Sequence, residues 1–322
     1  MFRAIVVSRP SDAPAHADLV SDATDAQLGE GDVTIDVDYS SINFKDGLAL
    51  TGRPGVIKAD GLIAGIDLVG RVEGTGEPVV VTGFGIGEDH PGGLSERARV
   101  PREWVVPLPE GISPSRAAAI GTAGFTAMLA VMSIERQLSP ADGGEALVTG
   151  ASGGLGSIAV SLLSGLGYSV TASTGREGEH DFLRALGAGT VIDRAELSEP
   201  GKPLQSQRWA AAVDSVGSHT LATVLAQTRY DGIVAACGLA QGADLPATVM
   251  PFILRGVTLA GINSVYCPMP LRVEAWRRLE HDLDLDALDS LTETVPLDGA
   301  IGVAERIMRG GVRGRTVVDV RG

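Results

Sequence analysis

Three glycines, Gly150, Gly153 and Gly156, stand at equal spacing in VTGASGGLGS, directly after the apolar run ALV and before IAVSLL. A strand that turns on glycine into a helix leaves the first backbone N–H groups of that helix unpaired. They converge on one spot with the helix dipole behind them, which suits a phosphate. Gly150 gives the tight turn, Gly153 lets the backbone approach a pyrophosphate, and Gly156 lets helix and strand pack closely. Ser152 and the amides of Gly153, Gly154 and Leu155 are the candidate donors. A carboxylate about 20 residues beyond the glycines would take a ribose 2′-hydroxyl. The chain has Thr174, Gly175 and Arg176 there instead. A hydroxyl and a forked guanidinium suit a 2′-phosphate, so the expected cofactor is NADPH. Glu177, one residue further, is the competing signal for NADH. Arg194, after the third strand, is a second candidate cation.

A second polar group is Asn43-Phe44-Lys45-Asp46. Asn43 can donate to a carbonyl, and Lys45 and Asp46 can move a proton or offset a developing negative charge. The same charges would serve equally well as a structural ion pair. Lys45 is one of three lysines among 26 basic residues. Glu88-Asp89-His90 lies in a glycine-rich stretch and suits either the rim of a cleft or a solvated turn. The two cysteines are Cys237 and Cys267, and the histidines of the first hundred residues are His16 and His90. None has the spacing of a metal ligand set, so no metal site is expected.

These groups need elements to hold them. Phe2–Val7, Val33–Tyr39, Leu68–Glu73, Val79–Thr82 and Leu94–Val100 are short strand candidates separated by glycine turns, which predicts a compact barrel. Near residue 113 the pattern changes. Ser113 as N-cap and Pro114 at the first helical position open a long apolar helix. Strands at Ala146–Thr149, Tyr168–Ala172, Thr190–Ile192, Ala211–Val213, Ile233–Ala236 and Val257–Ala260 then alternate with helices at Gly153–Leu166, Glu179–Leu186 and Thr220–Gln227. Gly167 and Gly187 close the first two of these helices. This rhythm predicts an α/β fold with a Rossmann-type doubly wound parallel sheet. Helices at Leu271–Leu279 and near Ala300–Met308 and a strand at Arg315–Val320 complete the chain. The predicted division is residues 1–115 for a substrate domain, 116–265 for the nucleotide domain, and 266–322 returning to the first.

The 322 residues contain 44% apolar side chains, enough for two cores, and carry a net charge of −14. An acidic surface argues against a nucleic-acid partner. The N-terminal apolar run is too short for a signal peptide, and no window is read as reaching the ~18 apolar residues of a membrane helix. The expectation is a soluble, cytoplasmic protein with reduced cysteines.

Several stretches carry a family resemblance. AAAIGTAGFTAM (Ala117–Met128) resembles the helix that opens the nucleotide domain of medium-chain dehydrogenases/reductases. SSINFKDGLALTG, VTGFGIGEDHPGG, VTGASGGLGS, VAACGLA and TVMPFILRGVTLAGINS resemble the acrylyl-CoA reductase branch of the zinc-free quinone-oxidoreductase group, almost end to end. The resemblance implies a GroES-like β-barrel substrate domain, a Rossmann domain, NADPH, and reduction of acryloyl-CoA to propanoyl-CoA. It places Phe44 where relatives have a tyrosine near the nicotinamide, Leu239, Ile253 and Ser264 along the nicotinamide side, and Arg315 closing it from the last strand. It also places Asn43 and Ile66-Asp67 where zinc-dependent cousins carry a cysteine and a His-Glu pair. By residue type, Arg53, Lys58 and Arg97 are candidates for coenzyme A phosphates, and each one separately reads equally as a scattered surface cation. Pro91, Ala64 and the short Gly74–Pro78 segment depart from the family pattern.

Without a Lewis acid, an activated double bond is the easier substrate. Hydride adds to the β-carbon while the thioester carbonyl takes up negative charge. The functional expectation is an NADPH-dependent enoyl-CoA reductase. A quinone or enone reductase of the same fold and a non-catalytic NADPH-binding protein are the alternatives. The strand at Val257–Ala260 would form an exposed sheet edge, so a homodimer paired through such edges is expected.

Overall fold

A computed structural model describes residues 1–10 and 14–322. The chain divides into two units, Met1–Thr122 with Ser264–Glu280 and Leu288–Gly322, and Ala123–Asn263 with His281–Ala287. The crossings thus fall at 122/123 and 263/264, against 115/116 and 265/266 expected from the sequence.

In the first unit, Val33–Ser41 is the central strand. Its VTIDVDYSS pattern turns Val33, Ile35 and Val37 into the core, as period-two alternation requires. It pairs antiparallel with Asp67–Val72, with Arg97–Val100 and with Arg315–Asp319. Asp67–Val72 leads through Pro78–Thr82 to Val106–Pro107, and Arg315–Asp319 carries Thr292–Pro296 as a parallel edge. The result is a seven-stranded sheet, beside a three-stranded one of His16–Ala23, Phe2–Ser8 and Leu62–Ile63. His16–Ala23 and Thr292–Pro296 escape sequence detection because both are mostly exposed and polar. The helices Phe44–Leu50 and Ala300–Met308 pack through Ala49, Leu50, Ala300, Val303 and Ala304. Gly47 lets them meet, since a Cβ there would lie 2.9 Å from Met308 Sδ.

The long helix runs Pro114–Glu135, but Gly121 (φ 46°, ψ −157°) breaks it. Its 22 residues include an 18-residue window apolar enough for a membrane span, 83% buried within the protein. This corrects the expectation that no window reaches that length; burial marks it as a core helix.

The second unit is a six-stranded, all-parallel sheet. Its order is Thr190–Asp193, Ser169–Thr174, Glu145–Val148, Trp209–Asp214, Thr228–Ala236, Thr258–Gly261. Numbered by chain order within the sheet, this is the 3-2-1-4-5-6 arrangement of the Rossmann fold. Ser169–Thr174 is buried over all but its first residue although SVTAST mixes hydroxyl and apolar side chains. Trp209–Asp214 is buried along its whole length. The helix Gly154–Gly165 is followed by Gly167 (φ 89°), and His180–Ala185 by Gly187 (φ 101°). Both glycines close their helices as the sequence predicts. The short helices Ala195–Ser198 and Met250–Arg255 were not foreseen.

Candidate functional site

Two groups of candidate residues lie on the chain, one in each unit. In the second unit, Gly150 has φ 60° and Gly153 is the N-cap of Gly154–Gly165. A Cβ on Gly156 would fall on the carbonyl oxygen of Gly150 and 2.7 Å from the Cα of Ala151, so no side chain fits. Gly153 differs. Its nearest protein neighbour would be the Gly150 oxygen at 3.3 Å, so protein packing alone does not demand glycine there. No side chain caps this helix and its first turn holds no acid, which leaves its leading N–H groups for a phosphate. Ser152 Oγ lies 3.1 Å from Thr174 Oγ1, and Thr174 Oγ1 accepts the N–H of Arg176 at 3.2 Å. These bonds join the glycine turn to the end of the second strand.

Arg194 belongs to the same place. Its N–H donates to the Thr174 carbonyl at 3.0 Å, and its side chain lies over Gly175. A Cβ on Gly175 would fall on Arg194 Nε, 2.6 Å from Cδ and 2.9 Å from Cζ. Thr174, Gly175, Arg176 and Arg194 are thereby gathered at one strand end. Their chemistry, hydroxyl and guanidinium rather than carboxylate, fits a 2′-phosphate. Leu239 (59% exposed) follows Gly238, which packs on Ser215; the Ser215 hydroxyl in turn borders Gly150. Ile253 stands 71% exposed on the helix Met250–Arg255.

In the first unit, Asn43 is the N-cap of Phe44–Leu50. Its side chain is fully engaged. Nδ2 donates to Asp67 Oδ2 at 2.6 Å and to Ser41 Oγ at 3.3 Å, and Oδ1 accepts from Arg315 Nη1 at 2.9 Å. This corrects the expectation that Asn43 donates to a substrate carbonyl: both amide hydrogens have internal acceptors. Asp46 is fully buried and accepts the N–H groups of Asn43 (2.8 Å) and Ile66 (3.0 Å). Burial, aided by the nearby Asp67 carboxylate, pushes its pKa up to about 7. Asp46 holds backbone together and is not a proton donor at a surface, a second correction. Neighbours on a helix point about 100° apart, so Lys45 does not pair with Asp46. It reaches Glu88 Oε1 at 2.6 Å instead. Phe44, 45% exposed, opens the helix.

Arg315 is buried to 2% exposure. Its Nε donates to the Ala119 carbonyl at 2.5 Å and Nη2 to Ser41 Oγ at 2.8 Å, and desolvation lowers its pKa. A guanidinium so placed ties the last strand to Ser41, Asn43 and Ala119. Ser264 gives its carbonyl to Arg272 Nη2 at 2.9 Å. Lys58 pairs with Asp89 at 2.8 Å and Arg97 with Glu73 at 2.8 Å, while His90 bonds the carbonyls of Pro91 and Glu30.

Sequence reasoning gave no function to three residues, although the resemblance had placed Asp67 at a position where zinc-dependent cousins carry part of a His-Glu pair. Asp67 accepts from Ser41, Asn43 and Thr122. A lone carboxylate inside GLIAGIDLVG was the available signal. Arg272 is fully buried, donates to Thr82, Ser264 and Val265, and lies 4.5 Å over the Phe84 ring. Phe84 has φ 54°, a strained conformation for an aromatic residue, and stacks on Trp104 at 5.2 Å. Nothing in the sequence marked either.

A parallel 3-2-1-4-5-6 sheet with a glycine turn at its first strand defines a Rossmann-type dinucleotide-binding protein. The family model described as zinc-binding dehydrogenase matches residues 154–280. The probable acrylyl-CoA reductase AcuI of Escherichia coli is 48% identical over 303 residues, covering 92% of this chain and 93% of its own. Acrylyl-CoA reductase AcuI of Ruegeria pomeroyi is 45% identical and covers 99% of both chains. The yhdH oxidoreductase of Salmonella enterica, solved in complex with NADP, superposes with a TM-score of 0.96 at 47% identity, covering 99% of this chain and 100% of that one. The chain belongs to the zinc-independent medium-chain dehydrogenases/reductases, the oxidoreductases related to quinone oxidoreductases and acrylyl-CoA reductase. Among the described residues no group of three or more His, Cys, Asp or Glu could hold a metal ion.

Proposed function

We propose that the chain reduces the carbon–carbon double bond of a short 2-enoyl-CoA with NADPH, acryloyl-CoA foremost, giving propanoyl-CoA. The observation that carries this is a near end-to-end match, at 45% to 48% identity, with acrylyl-CoA reductases, joined to a strand end that presents Arg176 and Arg194 in place of a carboxylate.

Bound NADPH supplies the hydride. The residues of the chain hold and orient. The N–H groups of Gly153, Gly154 and Leu155, with Ser152, take the pyrophosphate; Thr174, Gly175, Arg176 and Arg194 take the 2′-phosphate. By family position Phe44 offers an apolar face to the nicotinamide, and Leu239, Ile253 and Ser264 belong to its surroundings. Lys45, held by Glu88 and 40% exposed, is the cation we assign to the negative charge that develops on the thioester oxygen. With no tyrosine at position 44, the proton for the α-carbon comes from water or from Lys45.

The first unit serves as a GroES-like substrate domain whose strands close into a barrel, the middle segment as the NADPH domain, with residues 266–322 completing the first. The protein works in the cytoplasm as a homodimer. Thr258–Gly261 lies at the edge of the parallel sheet, and Val249 and Leu254 are exposed nearby in sequence; pairing of such edges would cover them. A dimeric mass by light scattering supports this, and a monomer at micromolar concentration opposes it.

The test of function follows NADPH absorbance with acryloyl-CoA, crotonyl-CoA and a simple quinone side by side. Preferential turnover of acryloyl-CoA is the expected result. Turnover of the quinone alone moves the substrate class and keeps the cofactor. Phe44 in place of the family tyrosine favours instead the reading as a non-catalytic NADPH-binding protein, which NADPH binding without turnover of any of the three would support.

A further inference from the structure

We propose that Asp67 is a positioning residue for hydride transfer, acting with Arg315 as a charged staple across the break in the helix Pro114–Glu135. The inference rests on the reading that places Phe44 against the nicotinamide. It assigns to an internal ion pair the organising work that a metal would do elsewhere.

The geometry is closed on every side. Asp67 Oδ1 accepts the N–H of Thr122 and its hydroxyl, both at 2.7 Å. Oδ2 accepts Ser41 Oγ at 2.5 Å and Asn43 Nδ2 at 2.6 Å, with Arg315 Nη2 at 3.9 Å. Five donor groups thus face one fully buried carboxylate. Arg315 Nε takes the carbonyl of Ala119, three residues before Thr122. The anion therefore sits at the amide that starts the second half of the helix, and the cation at a carbonyl that ends the first. Each charge matches the dipole of its half. Gly121 between them is at φ 46°, and a Cβ there would fall on the Asp67 carboxylate. The break is built around the acid.

The same carboxylate and guanidinium grip Asn43 from opposite ends of its amide. Asn43 starts the helix whose first residue is Phe44. Asp67 thereby fixes the rotation of that N-cap and the direction in which Phe44 leaves it. Asp46 secures the backbone of Asn43 from below and joins it to Ile66, the neighbour of Asp67. Misplacing a reacting group by about 1 Å can cost about 100-fold in rate, so loosening the staple should be read in turnover.

Asp67→Asn keeps the shape, removes the charge, and turns one acceptor into a donor facing donors. Thr122→Val is the milder variant, deleting one of the four short bonds; it keeps the test alive if Asp67→Asn fails to fold. Both are measured against the wild type with whichever acceptor the wild type turns over. The readouts are kcat, KM for NADPH, the isotope effect with NADPH deuterated at C4, thermal melting, and the emission of bound NADPH. The expected result is a kcat lowered about 10- to 100-fold for Asp67→Asn and less for Thr122→Val, with KM for NADPH within about threefold. The isotope effect should rise as hydride transfer becomes more limiting, and Asp67→Glu should restore part of kcat. Unchanged kcat in a soluble variant that melts earlier would overturn the proposal, since the acid would then serve stability only. So would a rise in KM with kcat intact. If the wild type turns over no acceptor, the functional reading fails instead. The emission of bound NADPH then decides: a spectral shift in Asp67→Asn supports the staple, and an identical spectrum refutes it.

Discussion

Replacing Gly175 by alanine should change cofactor choice without touching the catalytic residues. The backbone of Gly175 is outside the left-handed region, so a Cβ adds no conformational strain. It would, however, lie 2.6 Å from Arg194 Cδ and 2.9 Å from Cζ, where carbon atoms settle at roughly 3.5–4.0 Å. The Arg194 side chain must withdraw by about 1 Å, enough to lose a hydrogen bond to a phosphate oxygen. A hydrogen bond to a charged group contributes about 1.5–3 kcal/mol, and ~1.4 kcal/mol is tenfold in affinity. NADPH should therefore bind ~10- to 150-fold more weakly, with NADH unchanged within about threefold. Fluorescence titration of both cofactors measures this directly. Arg194→Met, which removes the guanidinium and adds no bulk at residue 175, should reproduce the loss. Equal weakening of both cofactors would mean that the alanine disturbs the whole turn. Unchanged NADPH affinity would mean that Arg194 does not meet the 2′-phosphate, and Arg176 or Glu177 would then set the preference.

Gly156→Ala should be far more damaging, costing about 1–3 kcal/mol by overpacking against Gly150 and Ala151, with NADPH binding lost alongside; chemical denaturation checks it. Asp46, ordinarily near 3.8, is raised to about 7 in the folded chain. The native state then holds a proton that the unfolded state releases between those values. Stability should fall as pH rises from about 4 to 7, by at most ~1.4 kcal/mol per unit, and Asp46→Asn should flatten that slope in urea melts. Lys45→Met should change stability by about 1 kcal/mol or less, since the Glu88 pair is partly exposed. If Lys45 meets the thioester, kcat with the acyl acceptor should still drop; equal activity of this variant would remove it from the reaction.

The nucleotide half was legible because its signals are local. Glycine spacing, alternating strand and helix, and the glycines at 167 and 187 each act within a few residues, and the parallel order follows from chirality rules once the rhythm is known. The substrate half was less legible. The residue types of Asn43-Phe44-Lys45-Asp46 were the right ones to notice, but their partners come from Ser41, Ile66, Asp67, Glu88 and Arg315. Those contacts span up to 272 positions. Sequence proximity suggested that Lys45 and Asp46 share a task; helical geometry sends one to a loop and buries the other. The apolar length of Pro114–Glu135 shows the converse, since only packing tells a core helix from a membrane span. Arg272 and Phe84 gave no warning, because a buried cation on an amphipathic helix looks like any surface arginine until its acceptors are known.

The scarcity of lysine has a practical consequence. Two of the chain's three lysines, Lys45 and Lys58, grip adjacent acids at Glu88 and Asp89, and the third is Lys202. An amine-reactive dye would consequently find few anchor points, and most of them report on a single loop. Labelling yield at Lys45 and Lys58, counted by peptide mass spectrometry with and without a ligand, becomes a footprint of that loop in a protein that needs no engineered tag to carry it.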